Sequence, residues 1–309
     1  MRPEMEAFFL KQKYRLYGDH SGVKLCHWLK EKLLRGRSCY KEDFYGISCH
    51  RCLQMTPSLN QCTQRCQFCW RFQGFTETDR RTWDEPEALL DGLIRGQRDL
   101  ITGYKGNDKC DLDLFEEAWD PNMVAISLSG EPTMYPYLSD LIGLCKRRGM
   151  SVFVVSNGTL PEKIEALDEL PTQLYVTVAA PNREIYKNLC IPYMKDGWER
   201  INRTLELLPS LDCRTTIRHT LVENRNIGWE EEYARLDKKA DPDIIEPKGY
   251  VFVGGSRSRL SMDNMPSHER VRSFSSKLAE LVGHEIKAEK KSSRVTAVSS
   301  LDTLKIPGL

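Results

Sequence analysis

The chain has 309 residues, 40% hydrophobic and 29% charged, with 45 basic and 44 acidic side chains and a net charge of +1. That supplies enough apolar material for one large α/β domain or two small ones, and it excludes RNA binding driven by bulk charge alone. No apolar run reaches the roughly 18 residues a membrane span needs; with no apolar signal core in residues 1–17, a cytoplasmic protein without membrane contact is expected.

Residues 1–52 are mixed, charged and cysteine-bearing, with a helical stretch at 24–35. From there a strand at 53–59 leads to a helix at 85–100, where Leu89, Leu90, Leu93 and Ile94 fall at helical spacing. A polar loop at 103–113 follows, then strand 123–128 and helix 137–147, strand 151–155 and helix 162–167. Strand 174–178 precedes helices 184–189 and 198–208, strand 215–222 precedes helix 230–238, and strand 244–253 precedes helix 268–282. A polar segment at 287–300 holds a short strand at 295–298. Such alternation predicts parallel strands joined by right-handed crossovers, in an open sheet or a partial or closed barrel. The strands read as apolar on both faces. The expected organisation is an N-terminal extension (1–52), a barrel-length body (53–283) and a basic C-terminal segment (284–309).

Seven of the 11 cysteines lie between positions 26 and 69. In a cytosolic chain that crowding points to metal or redox chemistry rather than disulfides. Cys62, Cys66 and Cys69 form C-x3-C-x2-C. Three thiolates on one loop can hold three irons of a 4Fe–4S cube and leave the fourth open to a small molecule. Structural zinc wants four closed ligands instead. The loop follows the first strand of the alternating unit, and parallel barrels carry reactive groups at the C-terminal strand ends. At the next strand end, Gly130-Glu131-Pro132 offers a close backbone approach and a carboxylate that accepts from an ammonium group, although a simple turn explains the tripeptide equally well. Asn157, after the following strand, suits a ribose or carboxylate ligand or a plain turn. Upstream, Cys26, Cys39 and Cys52 are spaced C-x12-C-x12-C, and Cys49 makes a local C-x2-C with Cys52. This array fits a second cube, or a zinc knuckle using Cys49, Cys52 and His27 or His50. Cys110, Cys145, Cys190 and Cys213 are scattered and read as buried thiols.

The triad with Gly130-Glu131-Pro132 resembles the radical S-adenosylmethionine (SAM) superfamily, and the upstream array is similar to that of its tRNA 4-demethylwyosine synthase family. The resemblance covers most of the chain. It implies a partial (β/α)6 TIM-like barrel with a cysteine-rich N-terminal extension. It also implies two 4Fe–4S clusters, a SAM-coordinating one on Cys62, Cys66 and Cys69 and an auxiliary one on Cys26, Cys39 and Cys52, with Cys49 left as a neighbour. Gly130, Glu131, Pro132 and Asn157 are then SAM-binding residues. The implied reaction is a radical carbon–carbon lyase chemistry that joins N1-methylguanosine of phenylalanine tRNA, at the anticodon loop, to a two-carbon unit of pyruvate. Lys41, two residues after Cys39, is implied as the lysine that forms a Schiff base with pyruvate; without the resemblance it reads as a surface lysine. The short archaeal form, lacking the flavodoxin-like domain of eukaryotic relatives, is implied, and with it an external electron donor such as a flavodoxin or ferredoxin. Arg257, Arg259, Lys287, Lys290, Lys291 and Arg294, with Trp70, Phe72 and Trp83, are expected to hold the tRNA. Two other functions fit the residues alone: a radical SAM enzyme acting on a peptide or metabolite, and a non-catalytic zinc-binding RNA-binding protein.

Overall fold

Apolar runs of four to eight residues, punctuated by amphipathic helices, fold here into a strand–helix alternation. The computed structural model describes residues 3–74 and 82–309. Helix α1 (Pro3–Lys11) leads into the short strands β1 (Arg15–Tyr17) and β2 (Ser21–Val23), then helices α2 (His27–Arg35) and α3 (Tyr40–Tyr45). The body runs β3 (Cys52–Thr56), α4 (Pro86–Ile101), α5 (Leu112–Ala118), β4 (Met123–Ile126), α6 (Leu138–Arg147), β5 (Ser151–Ser156), α7 (Pro161–Glu165) and β6 (Gln173–Thr177). It continues with α8 (Arg183–Cys190), α9 (Gly197–Leu207), β7 (Arg214–Leu221), α10 (Glu230–Ala240), β8 (Ile244–Gly249) and α11 (His268–Val282), and ends in β9 (Glu285–Lys290) and β10 (Val295–Ser299).

Strands β3 to β8 are parallel and adjacent in chain order. The sheet does not close on itself: its order is β1-β2-β3-β4-β5-β6-β7-β8-β10-β9, with an antiparallel hairpin added at each edge. Strand alternation sorts the side chains. Leu53, Met55, Val124, Ile126, Val152, Val154, Leu174, Val176 and Ile217 join the core under the helices. There the buried pair His219–Asp237, 3.0 Å apart, ties β7 to α10. The intervening residues Cys52, Met123, Ala125, Phe153, Tyr175 and Ile244 pack on the other face with Tyr40, Phe44 and Tyr45 of α3.

Several expectations need correction. The strands are not apolar on both faces, because Arg218 of β7 and Glu246 and Lys248 of β8 point to the concave side. The polar stretch 103–113 contains the start of α5, capped by the Asp111 carboxylate, which accepts from the Leu114 N–H at 3.1 Å. Residues 285–290 form a sheet-edge strand, and β8 ends at Gly249 rather than at 253.

Candidate active site

One cavity of about 500 Å³ occupies the concave side of the sheet. It is lined by Cys26, Cys39, Cys52, Cys62, Cys66 and Cys69, and also by Cys49, Lys41, Gly130, Glu131 and Asn157. Of the predicted site residues only Pro132 lies off this lining; it opens the short 3-10 turn Pro132–Met134 that carries Glu131 at its N-cap.

At the C-terminal strand ends, the Cys62–Cys69 loop has no regular structure of its own and is held by its neighbours. The N–H of Gln67 donates to Leu189 O at 2.8 Å, that of Arg65 to Cys190 O at 3.1 Å, and that of Cys69 to Cys66 O at 3.1 Å. From the other side Arg259 donates Nε to Gln67 O at 3.2 Å and a terminal N–H to Cys69 O. Arg259, expected to touch RNA, is therefore committed to the loop. Gly130 has φ +73°, and a Cβ there would sit 1.7 Å from Ser58 O and 2.6 Å from Gln61 O, so only glycine lets the β3 and β4 ends meet this closely. Glu131, 1% exposed, accepts from the Thr133 hydroxyl at 2.7 Å, the Ser156 hydroxyl at 2.8 Å and the Asn157 N–H at 2.7 Å. Burial raises its pKa and those hydrogen bonds oppose the rise. Asn157 spends its side chain on the cysteine loop: Nδ2 donates to Thr63 Oγ1 at 2.9 Å and lies 3.8 Å from Cys62 Sγ.

Arg71 is the residue sequence reasoning missed at this end. It is 3% exposed, and its Nη1 meets no acceptor among the described residues. Burial presses its pKa down, while negative charge on Cys62 and Cys69 outweighs that and holds it above the ordinary value. A buried guanidinium without a counter-charge is costly, so an anionic group is expected on these three sulfurs.

The other end is built by α2, α3 and the start of β3. Cys26 is the N-cap of α2, Cys39 the N-cap of α3, and Cys52 opens β3, so each stretch of the C-x12-C-x12-C array is one helix and its return. Cys49 shares a hydrogen bond with Cys39 that holds the Cys39 thiol below its usual pKa and lifts that of Cys49. His50 donates elsewhere, its Nε2 lying 2.7 Å from Glu117, and the His27 ring packs on Trp28; neither histidine lines the cavity. Among the described residues no three His, Cys, Asp or Glu side chains converge as one metal ion would require. A cube takes each thiolate on a separate corner and needs no such convergence.

Lys41 is half-buried and faces the cavity, its ammonium 4.6 Å from the Phe153 ring and 4.5 Å from that of Tyr175. Burial, and then the positive charge of Arg218, push its pKa down to about 8. Lys248, also on the lining, is pushed down to about 8 by the same two causes. Arg218 itself is neutralised: Nε donates to Glu246 Oε1 at 2.8 Å and a terminal N–H to Tyr40 Oη at 2.7 Å, while Tyr45 Oη donates to Glu246 Oε2 at 2.9 Å. The signal for these residues was available as charged residues at alternate positions of otherwise buried strands.

Among the residues expected to hold RNA, Lys290 donates to Ser38 O at 2.9 Å, Lys287 pairs with Glu285 and Lys291 with Glu269. Arg257 lies over the Phe252 ring, and Arg294 occupies the β9–β10 turn. Trp70 lines the cavity, Phe72 packs on Phe8, and Trp83 on His20 and Tyr135.

Residues 56–236 match the radical SAM superfamily, and residues 239–300 match the wyosine base formation family. The chain is 51% identical over 304 residues to the SAM-dependent tRNA 4-demethylwyosine synthase of Pyrococcus abyssi, covering 96% of this chain and 89% of that protein. This chain belongs to the tRNA 4-demethylwyosine synthase family of the radical SAM superfamily. The Methanocaldococcus jannaschii synthase is 38% identical, with 96% of each chain covered. A solved structure of TYW1 with a lysine–pyruvate adduct bound superposes with a TM-score of 0.90 at 37% identity, covering 99% of this chain and 98% of that one. A crystal structure of archaeal TYW1 gives 0.82 at 34% identity, over 99% and 100% of the two chains.

Proposed function

We propose that this chain condenses N1-methylguanosine of phenylalanine tRNA with a two-carbon unit of pyruvate to form tricyclic 4-demethylwyosine, as a carbon–carbon lyase. One observation carries the reading: two cysteine triads and a lysine of lowered pKa line a single cavity. Cys62, Cys66 and Cys69 would hold the SAM-coordinating 4Fe–4S cluster, and Cys26, Cys39 and Cys52 an auxiliary one, with Cys49 as a neighbour. The donor chemistry fits, because soft thiolates suit iron–sulfur clusters and each triad has a cation beside it, the buried Arg71 at one end and the half-buried Lys41 at the other. When bound, the first cluster supplies the electron that cleaves SAM and so provides the species that abstracts hydrogen from the N1-methyl group.

The protein's own residues hold and orient. Gly130 would let the SAM methionine moiety approach the backbone and Glu131 would accept from its ammonium group, while Pro132 starts the turn that carries Glu131 at its N-cap. Asn157, which lines the cavity and holds the cysteine loop through Thr63 and Cys62, would also face the ribose or carboxylate of SAM. The Lys41 amine attacks the keto carbon of pyruvate and holds it as a Schiff base; a lysine whose pKa is about 8 has a useful neutral fraction near neutrality. The anticodon-loop base would enter this cavity, whose lining includes Trp70 and the exposed Val251 and Val253. An external one-electron donor such as a flavodoxin or ferredoxin and a cytoplasmic setting complete the reading. No helix among the described residues is long and apolar enough to cross a membrane.

The test is mass spectrometry of phenylalanine tRNA incubated anaerobically with the iron-loaded protein, SAM, reductant and isotope-labelled pyruvate. The tricyclic base carrying two labelled carbons is expected. Unmodified N1-methylguanosine, with SAM cleaved, would point to a peptide or metabolite substrate instead.

A further inference from the structure

The cavity wall between α3 and β8 holds three cations, and their partners differ. Arg218 is neutralised by Glu246 and also donates to Tyr40. Lys41 lies over two aromatic rings and is the nucleophile of the proposed reaction. Lys248 projects from β8 onto the lining of the same cavity. Its ammonium lies 4.3 Å from the Tyr40 ring and 3.5 Å from Ser293 O, and no carboxylate pairs with it among the described residues. Tyr40 precedes Lys41 on α3, so the ring under Lys248 and the lysine that attacks the ketone belong to one turn of helix.

We infer that Lys248 is the specificity-determining residue for the keto acid: it binds the carboxylate of pyruvate while Lys41 takes the adjacent keto carbon. The inference rests on the proposed function and goes beyond it in naming the counter-ion. Once Lys41 is bonded to C2, the carboxylate one bond away must leave water for the cavity, and an unpaired buried carboxylate is costly. Arg218 is a poor partner, because Glu246 already satisfies its charge. Lys248 brings a partly buried positive charge with only weak partners to displace. The role needs the ammonium form; burial first and then the Arg218 charge lower its pKa, and a carboxylate beside it would oppose both. The bond changes are those of imine formation alone. The Lys41 nitrogen bonds to C2, the keto oxygen leaves as water, and the carboxylate is held without reacting.

The test uses the iron-loaded, anaerobic holoprotein and borohydride trapping, with the adduct mapped by peptide mass spectrometry. Pyruvate is compared with hydroxyacetone, a methyl ketone without a carboxylate. Wild type should trap pyruvate on Lys41 and prefer it to hydroxyacetone. Lys248→Met should lower that preference by about tenfold or more, the effect of losing one charge-assisted hydrogen bond, while hydroxyacetone capture persists. Lys248→Arg should keep most of the preference, which separates charge from folding. An unchanged preference in Lys248→Met, or equal loss of both ketones in it, overturns the inference and leaves the proposed function standing. Absence of any Lys41 adduct in the wild type overturns the proposed function and this inference with it.

Discussion

Replacing Arg218 by methionine removes a guanidinium from the concave face and leaves Glu246, which is fully buried, with the Tyr45 hydroxyl at 2.9 Å as its remaining hydrogen-bond partner among the described residues. Breaking a buried ion pair from one side costs about 3–5 kcal/mol, because an uncompensated charge stays behind. A chain of 309 residues unfolds with an entropy of roughly 650 cal/mol/K at about 2.1 cal/mol/K per residue, so the apparent Tm should fall by about 5–8 °C. Adding Glu246→Gln removes the stranded charge and should return a large part of that loss, a coupling of about 2 kcal/mol or more. The assay is a thermal scan of the anaerobic protein at one fixed rate for the parent, both single variants and the double. A second readout follows from the sign of the electrostatics. After burial, Arg218 is the next cause lowering the pKa of Lys41 and Lys248. Its removal raises both, so pyruvate trapping in Arg218→Met should need a higher pH than in the parent. A melting point within about 2 °C of the parent, or strictly additive single variants, would refute the assignment of Arg218–Glu246 as the structural charge pair of the cavity.

Lys41→Ala should retain both clusters and SAM cleavage and yield no tricyclic base; normal product would remove Lys41 from the reaction. In the parent, borohydride trapping should climb as pH passes through about 8, because the ammonium form below that value is no nucleophile; a rise continuing towards the ordinary lysine value of about 10.4 would contradict it. Iron per chain should drop from about eight to about four when Cys26, Cys39 and Cys52 are all changed to alanine, measured by colorimetric iron assay after anaerobic reconstitution; retention of eight would place the second cluster elsewhere. Gly130→Ala puts a Cβ within 1.7 Å of a backbone oxygen at φ +73°, a clash no side-chain rotation relieves. SAM affinity by equilibrium dialysis should weaken by about tenfold or more, since displaced backbone contacts of this kind cost over 1 kcal/mol.

The six parallel strands were legible because buried parallel strands are short apolar runs, and the helices because their apolar positions repeat at helical spacing. What escaped was structure whose stability comes from neighbours. Strands β1 and β2 have three residues each and exist only as a hairpin against β3. Strand β9, Glu285–Lys290, alternates exposed charge with half-buried residues and reads as a basic tail until β10 pairs with it. Helix α1 lay unread in the mixed N-terminal stretch. At the site, the Cys62, Cys66 and Cys69 triad was visible from spacing because ligand spacing is local, whereas the Cys26, Cys39 and Cys52 set rested on the family resemblance. Arg71 carried no such signal, since it matters through what faces it across the fold; Arg218 and Lys248 were marked only as charges within otherwise buried strands, and their partners lie across the fold.

The distribution of charge on the concave face ties these observations together. A protein core normally excludes unpaired cations, yet this fold holds Arg71 at one end of the cavity and Lys41 and Lys248 at the other, with Glu246 already taken by Arg218. Neutral thiols cannot compensate them. In the proposed function thiolates bound to iron would, at Cys62, Cys66 and Cys69 near Arg71 and at Cys26, Cys39 and Cys52 near Lys41, and the carboxylate of the keto acid would supply the remaining negative charge beside Lys248. Burial, and after it the positive charge of Arg218, keep the Lys41 amine partly unprotonated, which is the state in which it can attack a ketone. Within the proposed function the cations of this wall serve separable ends: removing Lys41 should abolish ketone capture and removing Lys248 should abolish the preference for a carboxylate, with both clusters retained in each case.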